Sequence, residues 1–347
     1  MDFRKFLSLI IVSFSFFFSC EDGNNVKTGK TGNPEKGRGG QTVLQIERFE
    51  SDLFALKSET FDADTLRLKK KYGKFFNIYC EQITKIGGMK TPMFRETLLG
   101  FINQPDIQSV QKEISTQYAD VSWLGKELGE AFVIFKKIFP DSTVPKIYTM
   151  FSGFSYAVAT TDSALAIGLD LYLGKNSRFY ELNNFPKYKV EKMRRELMVS
   201  DAIRGFLISS FPYGYLQKDM ISQMLDEGKI LYLTAMMLPN EPEHNILGYK
   251  PEELTWCKQN ESKIWSHFID KQLFYSTDFE HEIGYLRDGP FTKGFPEKAP
   301  ARIGVWLGYQ IIKKFMEKNE DTTLPELFKL KDAHKIFSNS GYKPGRA

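Results

Sequence analysis

Three short alternating segments constrain the fold more than any other feature. They are 146–151 (KIYTMF), 156–160 (YAVAT) and 164–173 (ALAIGLDLYL). β-Branched and aromatic residues recur in them with a period of two, which marks strands, and Gly153 and the pair Asp162-Ser163 supply turn residues between them. They predict a small meander of three strands. Outside this region the apolar period lengthens. Stretches 63–83 and 107–139 before it, and 188–211, 217–238, 251–274, 300–318 and 323–330 after it, read as helices. Leu124, Leu128, Phe132 and Phe135 fall on one helix face, and Pro140 and Pro145 break the chain beyond it. Segment 43–56 (VLQIERFESDLFAL) opens strand-like and continues with helical spacing. A small sheet flanked by many helices is an α+β arrangement. It predicts a mostly helical single domain over 41–347, with one helix across 190–208 after the strands.

The N-terminus belongs to another class of segment. Arg4 and Lys5 precede an uncharged run from Phe6 to Ser19, rich in Leu, Ile and Phe, that stops at Cys20. A short basic region and a short apolar region ending at a small residue make a secretory signal. The run is shorter than the roughly 18–20 residues of a spanning helix. Ser19-Cys20 resembles a bacterial lipobox, which implies that residues 1–19 are removed and Cys20 becomes an acylated first residue. Residues 20–40 follow as lipidated cysteine and tether. Within 21–40 Val26 is the sole aliphatic residue, too little apolar surface to order the stretch.

Composition narrows the function. The formal net charge is +4, and losing Asp2, Arg4 and Lys5 with the signal lowers it to +3. The cations are interleaved with acids, which argues against a nucleic-acid partner. Thirty Phe and 16 Tyr supply a heavy apolar payload for one core. Cys80 and Cys257 are open to both a disulfide and two buried thiols. No Gly-rich phosphate loop lies in a strand–helix setting, and no G-x-S-x-G elbow occurs.

Several blocks together resemble the gliding motility lipoproteins of the GldB type. They are IERFESDLF (46–54), FSGFSYAV (151–158), IGLDLYLG (167–174), DEGKILYL (226–233), PEELTWCKQNESKIW (251–265), APARIGVWLGYQIIKKFMEK (299–318) and SNSGYKP (338–344). The resemblance implies a lipid-anchored protein of the cell envelope, with the outer membrane as the expected location. It implies membrane contact through the N-terminal lipid, and partners among the components of the gliding apparatus and its linked secretion machinery.

The body also resembles, distantly, zinc-dependent proteases whose helix after the strands carries H-E-x-x-H. Two imidazoles at i and i+4 there bind zinc while the Glu activates water. The corresponding stretch here is MRRELMVSDAIRGF (193–206), with Arg195-Glu196-Leu197-Met198-Val199 as the nearest frame. Glu196 stands in the place of the base, and neither Arg195 nor Val199 can ligate a cation. Asp226-Glu227 stands where a later acidic ligand would come. His244, His267, His281 and His334 are not paired at helical spacing. The expectation is therefore a zincin-like body with lost metal ligands, no metal, no cofactor and no catalytic residue.

Glu196, Asp201, Arg204, Glu227 and Arg302 are the polar residues such a former cleft would retain. The cleft could bind a peptide, with 164–173 as an edge strand for β-augmentation. Asp201 and Arg204 also fit an ordinary i,i+3 pair on a solvated helix face. Gly304 and Gly308, four apart on one helix, predict a close backbone contact inside the core. Asp64-Thr65-Leu66, Asp141-Ser142-Thr143, Asp162-Ser163-Ala164 and Asp321-Thr322-Thr323 resemble O-glycosylation acceptors, and equally serve as turns and caps. The leading expectation is an envelope protein that acts by binding. A zinc metallopeptidase and a periplasmic small-ligand binder are the alternatives.

Overall fold

Strand residues at 146–150 and 164–168 build the centre of the protein in a computed structural model, which describes residues 35–36, 42–212, 214 and 218–344. The signal stretch 1–19, Cys20 and residues 21–34 lie outside the described residues. Within the expected tether, β1 (Glu35–Lys36) pairs antiparallel with β2 (Thr42–Val43). The main sheet holds β3 (Ile46–Arg48), β4 (Lys146–Met150), β5 (Val158–Thr160) and β6 (Ala164–Gly168), in the spatial order β3-β4-β6-β5. The first helices are α1 (Phe49–Phe54), α2 (Phe61–Tyr72), α3 (Lys74–Ile78), α4 (Phe94–Ile102), α5 (Pro105–Gln117) and α6 (Ser122–Ile138). After the strands come α7 (Arg178–Leu182), α8 (Lys187–Val190), α9 (Met198–Ser210), α10 (Met220–Met237), α11 (Glu243–Leu247) and α12 (Pro251–Gln259). The chain finishes with α13 (Glu261–Asp270), α14 (Phe279–Leu286), α15 (Ile303–Lys318), α16 (Leu324–Lys329) and α17 (Ala333–Ser340). This is a mostly helical α+β domain.

Both faces of the sheet are covered, so the central strands are buried along nearly their whole length. Ile147, Val158, Leu165 and Ile167 enter the larger core with residues of α6, α9, α10 and α15. Tyr148, Met150, Ala164 and Ala166 face a second cluster with Phe49, Phe75, Phe76, Tyr79 and Leu98.

The strand positions agree with the sequence, but the expected meander does not form. β4 and β6 are parallel neighbours, and β5 lies antiparallel on the far side of β6. The loop from β4 to β5 must therefore cross the end of β6. Asp170, fully buried, holds that crossing: it accepts from the backbone N–H of Ser152 at 2.9 Å and of Phe154 at 2.5 Å, and from Ser152 Oγ at 2.9 Å. Gly153 and Phe154 are left-handed, at φ 65° and 59°. Segment 164–173 is likewise no single strand, since Leu169–Leu171 forms a 3₁₀ turn after Gly168.

Nor does one helix span 190–208. The chain leaves α8 at Val190, makes a 3₁₀ turn at Arg195–Leu197, and only then enters α9. The 107–139 stretch is also split: α5 ends at Gln117 and α6 begins at Ser122, whose backbone N–H donates to Asp120 Oδ1 at 2.8 Å in the turn between them. Further along, α10 and α15 cross at Gly228 and Gly308. A Cβ on Gly308 would lie 2.0 Å from the Met224 carbonyl oxygen, and one on Gly228 would lie 2.6 Å from that of Gly308. Cys80 and Cys257 are free, buried and in different core clusters.

Candidate functional site

Four of the five polar residues singled out in the sequence come together. Asp201 and Arg204 lie one turn apart on α9, Glu227 lies on α10, and Arg302 stands at the entry to α15. Arg204 Nη2 donates to Glu227 Oε2 at 2.6 Å, and Arg302 Nη2 to the same oxygen at 3.2 Å. Side-chain exposure is 13% for Arg204, 10% for Arg302 and 20% for Glu227. Each desolvated charge therefore has an opposite partner, the condition under which buried charge is tolerated. Asp201 accepts from Tyr172 Oη at 3.0 Å. Burial raises the Asp201 pKa above the usual carboxylate range, with Arg204 and the Tyr172 hydroxyl pulling the other way.

Arg302 pairs from a strained backbone. Its φ is 62°, a left-handed conformation that costs a non-glycine residue on the order of 1–3 kcal/mol. The surroundings fix it: Tyr249 Oη donates to the carbonyls of Ala301 at 3.0 Å and Arg302 at 3.2 Å. A second ion pair, Lys192 with Asp288 at 2.5 Å, acts on the same cluster, since burial lowers the Lys192 pKa and the Arg302 charge lowers it further. Tyr172, Lys192 and Asp288 carried no signal in the sequence. Tyr172 lies in the 167–174 block without being marked there as a site residue, Lys192 and Asp288 belong to no motif, and chain folding brings all three here.

Glu196 does not join the cluster. It sits exposed in the 3₁₀ turn before α9, with Arg194 at 3.9 Å. The frame 195–199 thus falls on a helix entrance, not on the interior of a helix. Arg195 lies over the Trp123 ring at 4.0 Å. Asp226 diverges from Glu227, as adjacent helical residues must, and lines a separate cavity with Lys229 and Lys331. His267 bonds Tyr285 Oη at 2.8 Å, His281 bonds Ser276 Oγ at 2.8 Å and His334 bonds Asp219 at 2.6 Å. Among the described residues no group of three or more His, Cys, Asp or Glu is placed to hold a metal ion.

The edge strand differs from the one expected. Segment 164–173 cannot be an edge, because β6 lies between β4 and β5. β5 ends the sheet instead. Gly168 N donates to Ala157 O and Thr161 N to Ala164 O, both toward β6. By antiparallel alternation, the peptide groups of Val158 and Thr160 point off the sheet. β5 packs beside α9, where a Cβ on Gly205 would meet Val158 Cγ1 at 2.7 Å. Of the glycosylation-like tripeptides, Thr65 is closed off, buried in α2 with its hydroxyl donating to Phe61 O at 2.8 Å. No helix among the described residues is long and apolar enough to cross a membrane.

Searches among curated proteins and among solved structures give no match. A family model described as gliding motility protein GldB matches residues 33–344, from the small N-terminal hairpin to the end of the described chain. The chain belongs to the family of gliding motility protein GldB.

Proposed function

We propose that this chain is a lipid-anchored protein of the outer membrane that serves the gliding apparatus, and the secretion machinery linked to it, by holding other components and not by catalysis. Cys20 is the lipidated residue, residues 1–19 are the signal, and the stretch after Cys20 tethers the body to the bilayer.

One observation carries the binding role. The acid on α10 is spent on an ion pair: the Glu227 oxygen faces two guanidiniums, whose positive charge opposes a cation there. In the same region the sheet ends at β5, where the peptide groups of Val158 and Thr160 point off the sheet. An extended segment of a partner protein adds to Val158 and Thr160 by main-chain hydrogen bonds, as in β-augmentation. On this reading the resemblance to zinc proteases describes ancestry, with the metal chemistry given up.

Two measurements test this together. Cys20→Ala should leave the protein off the membrane and abolish gliding at normal protein level. Wild-type protein purified from membranes should carry no stoichiometric zinc. Tightly bound zinc accompanied by zinc-dependent peptidase activity would overturn the non-catalytic role, and an unmodified Cys20 thiol in membrane-bound protein would overturn the anchor.

A further inference from the structure

A cavity of about 180 Å³ opens between the end of α9, the middle of α10 and the exit of α16. One water needs only about 10–15 Å³, so the space suits a small organic molecule. One wall is aromatic. Phe211 and Phe328 pack at a tilt with ring centroids 4.4 Å apart, and Phe139 packs on Phe211 at 4.9 Å. The other wall is charged. Lys229, 4% exposed, donates to the Leu330 carbonyl at 3.0 Å. Lys331 brings its ammonium over Gly214, 2.7 Å from where a Cβ would sit, so the lysine head stands at the mouth beside that glycine. Asp226 stands one turn before Lys229. Among the described lining residues two cations thus face one acid. Burial pushes the Asp226 carboxyl up to about 7 and the Lys229 ammonium down to about 8, and each pulls the other back toward its charged form.

We propose that this cavity binds a small monocarboxylate with a short apolar or aromatic body. The carboxylate lies between Lys229 and Lys331, and the body lies against Phe211 and Phe328. A phosphate dianion fits the site less well. Asp226 adds a carboxyl, and no arginine is among the described lining residues to supply a fork. This role goes beyond the gliding function and does not depend on it.

The test uses the full chain purified in detergent, with binding read by saturation-transfer NMR and calorimetry. Benzoate, neutral benzamide and inorganic phosphate are the probes. Benzoate should bind and benzamide should not. Lys331→Met should weaken benzoate about tenfold or more. Gly214→Leu, which fills the mouth, should abolish binding with the thermal midpoint unchanged. Both variants are at the cavity rim, so the test survives if the buried Lys229→Met fails to fold. A peptide ending in a free phenylalanine carboxylate, against its amide, separates a chain terminus from a free acid as the source. Three results would each overturn the proposal: no benzoate binding at ~10 mM, benzoate binding unaffected by both rim variants, or phosphate competing as well as benzoate.

Discussion

The crossing of α10 and α15 offers a graded test of how the core is held. At Gly308 an added Cβ would sit 2.0 Å from the Met224 oxygen and 2.5 Å from its carbonyl carbon. Ordinary contact needs about 3.4 Å, so Gly308→Ala must drive the helices apart by more than an ångström, and the obstacle is backbone that cannot rotate away. Overpacking typically costs about 1–3 kcal/mol, and a rigid obstacle places this variant at the upper end. The gain in helix propensity from Gly to Ala, up to about 1 kcal/mol, offsets part of it. The net expectation is a loss of ~2 kcal/mol. At Gly304 the nearest atom is Leu286 Cδ2 at 2.6 Å, the end of a flexible side chain, so Gly304→Ala should cost less than Gly308→Ala. Gly100 on α4 has nothing within 4 Å, and Gly100→Ala should stabilise by ~0.5–1 kcal/mol. Urea denaturation followed by circular dichroism ranks the three. A Gly308→Ala variant as stable as Gly100→Ala would refute the reasoning.

The ion-pair cluster and the acids make three further predictions. Glu227→Ala, which leaves Arg204 and Arg302 facing each other, should destabilise by about 3 kcal/mol, whereas exposed Glu196→Gln should stay within ±0.5 kcal/mol and keep gliding intact, read by denaturation and by colony spreading. Asp170 is held at about 6 by burial, above its ordinary 3.8, so its contribution is full below 3.8 and is lost as pH rises through about 6; the difference is ~3 kcal/mol. Wild-type stability should therefore fall between about pH 4 and pH 6, and Asp170→Asn should flatten that fall. Burial pushes the Cys80 thiol up to about 12 and the Cys257 thiol higher still, so neither should react with iodoacetamide until the protein is unfolded, as mass spectrometry would register.

What could be read in the sequence was local. The face marked by Leu124, Leu128, Phe132 and Phe135 is buried as its spacing required, and the glycines of α15 sit at close contacts. The strand segments were legible because their alternation is a property of adjacent residues. Their neighbours were not, because pairing is set by contacts distant in sequence. Asp170 braces a crossing 16–18 residues upstream, and that brace places β5 outside β6. The same limit applies to the site. Asp201 and Arg204 were visible as an i,i+3 pair, but Arg302 reaches Glu227 across 75 residues. Glu196 was misplaced because the turn at Arg195–Leu197 depends on how Met193 and Leu197 are buried, not on helix propensity. Helix α4 went unread behind a loop whose apolar residues lack a clear period, although Leu98 and Ile102 are buried.

The most direct test of the binding role is a photo-crosslinking amino acid placed at Thr160, on the outermost strand β5, and at Leu182, exposed on α7, in the full chain expressed in the native membrane. The account predicts a discrete adduct with another envelope protein from Thr160, none from Leu182, and loss of gliding when Thr160 is replaced by proline at normal protein level. Equal crosslinking from both positions, or full gliding with proline at Thr160, would contradict it.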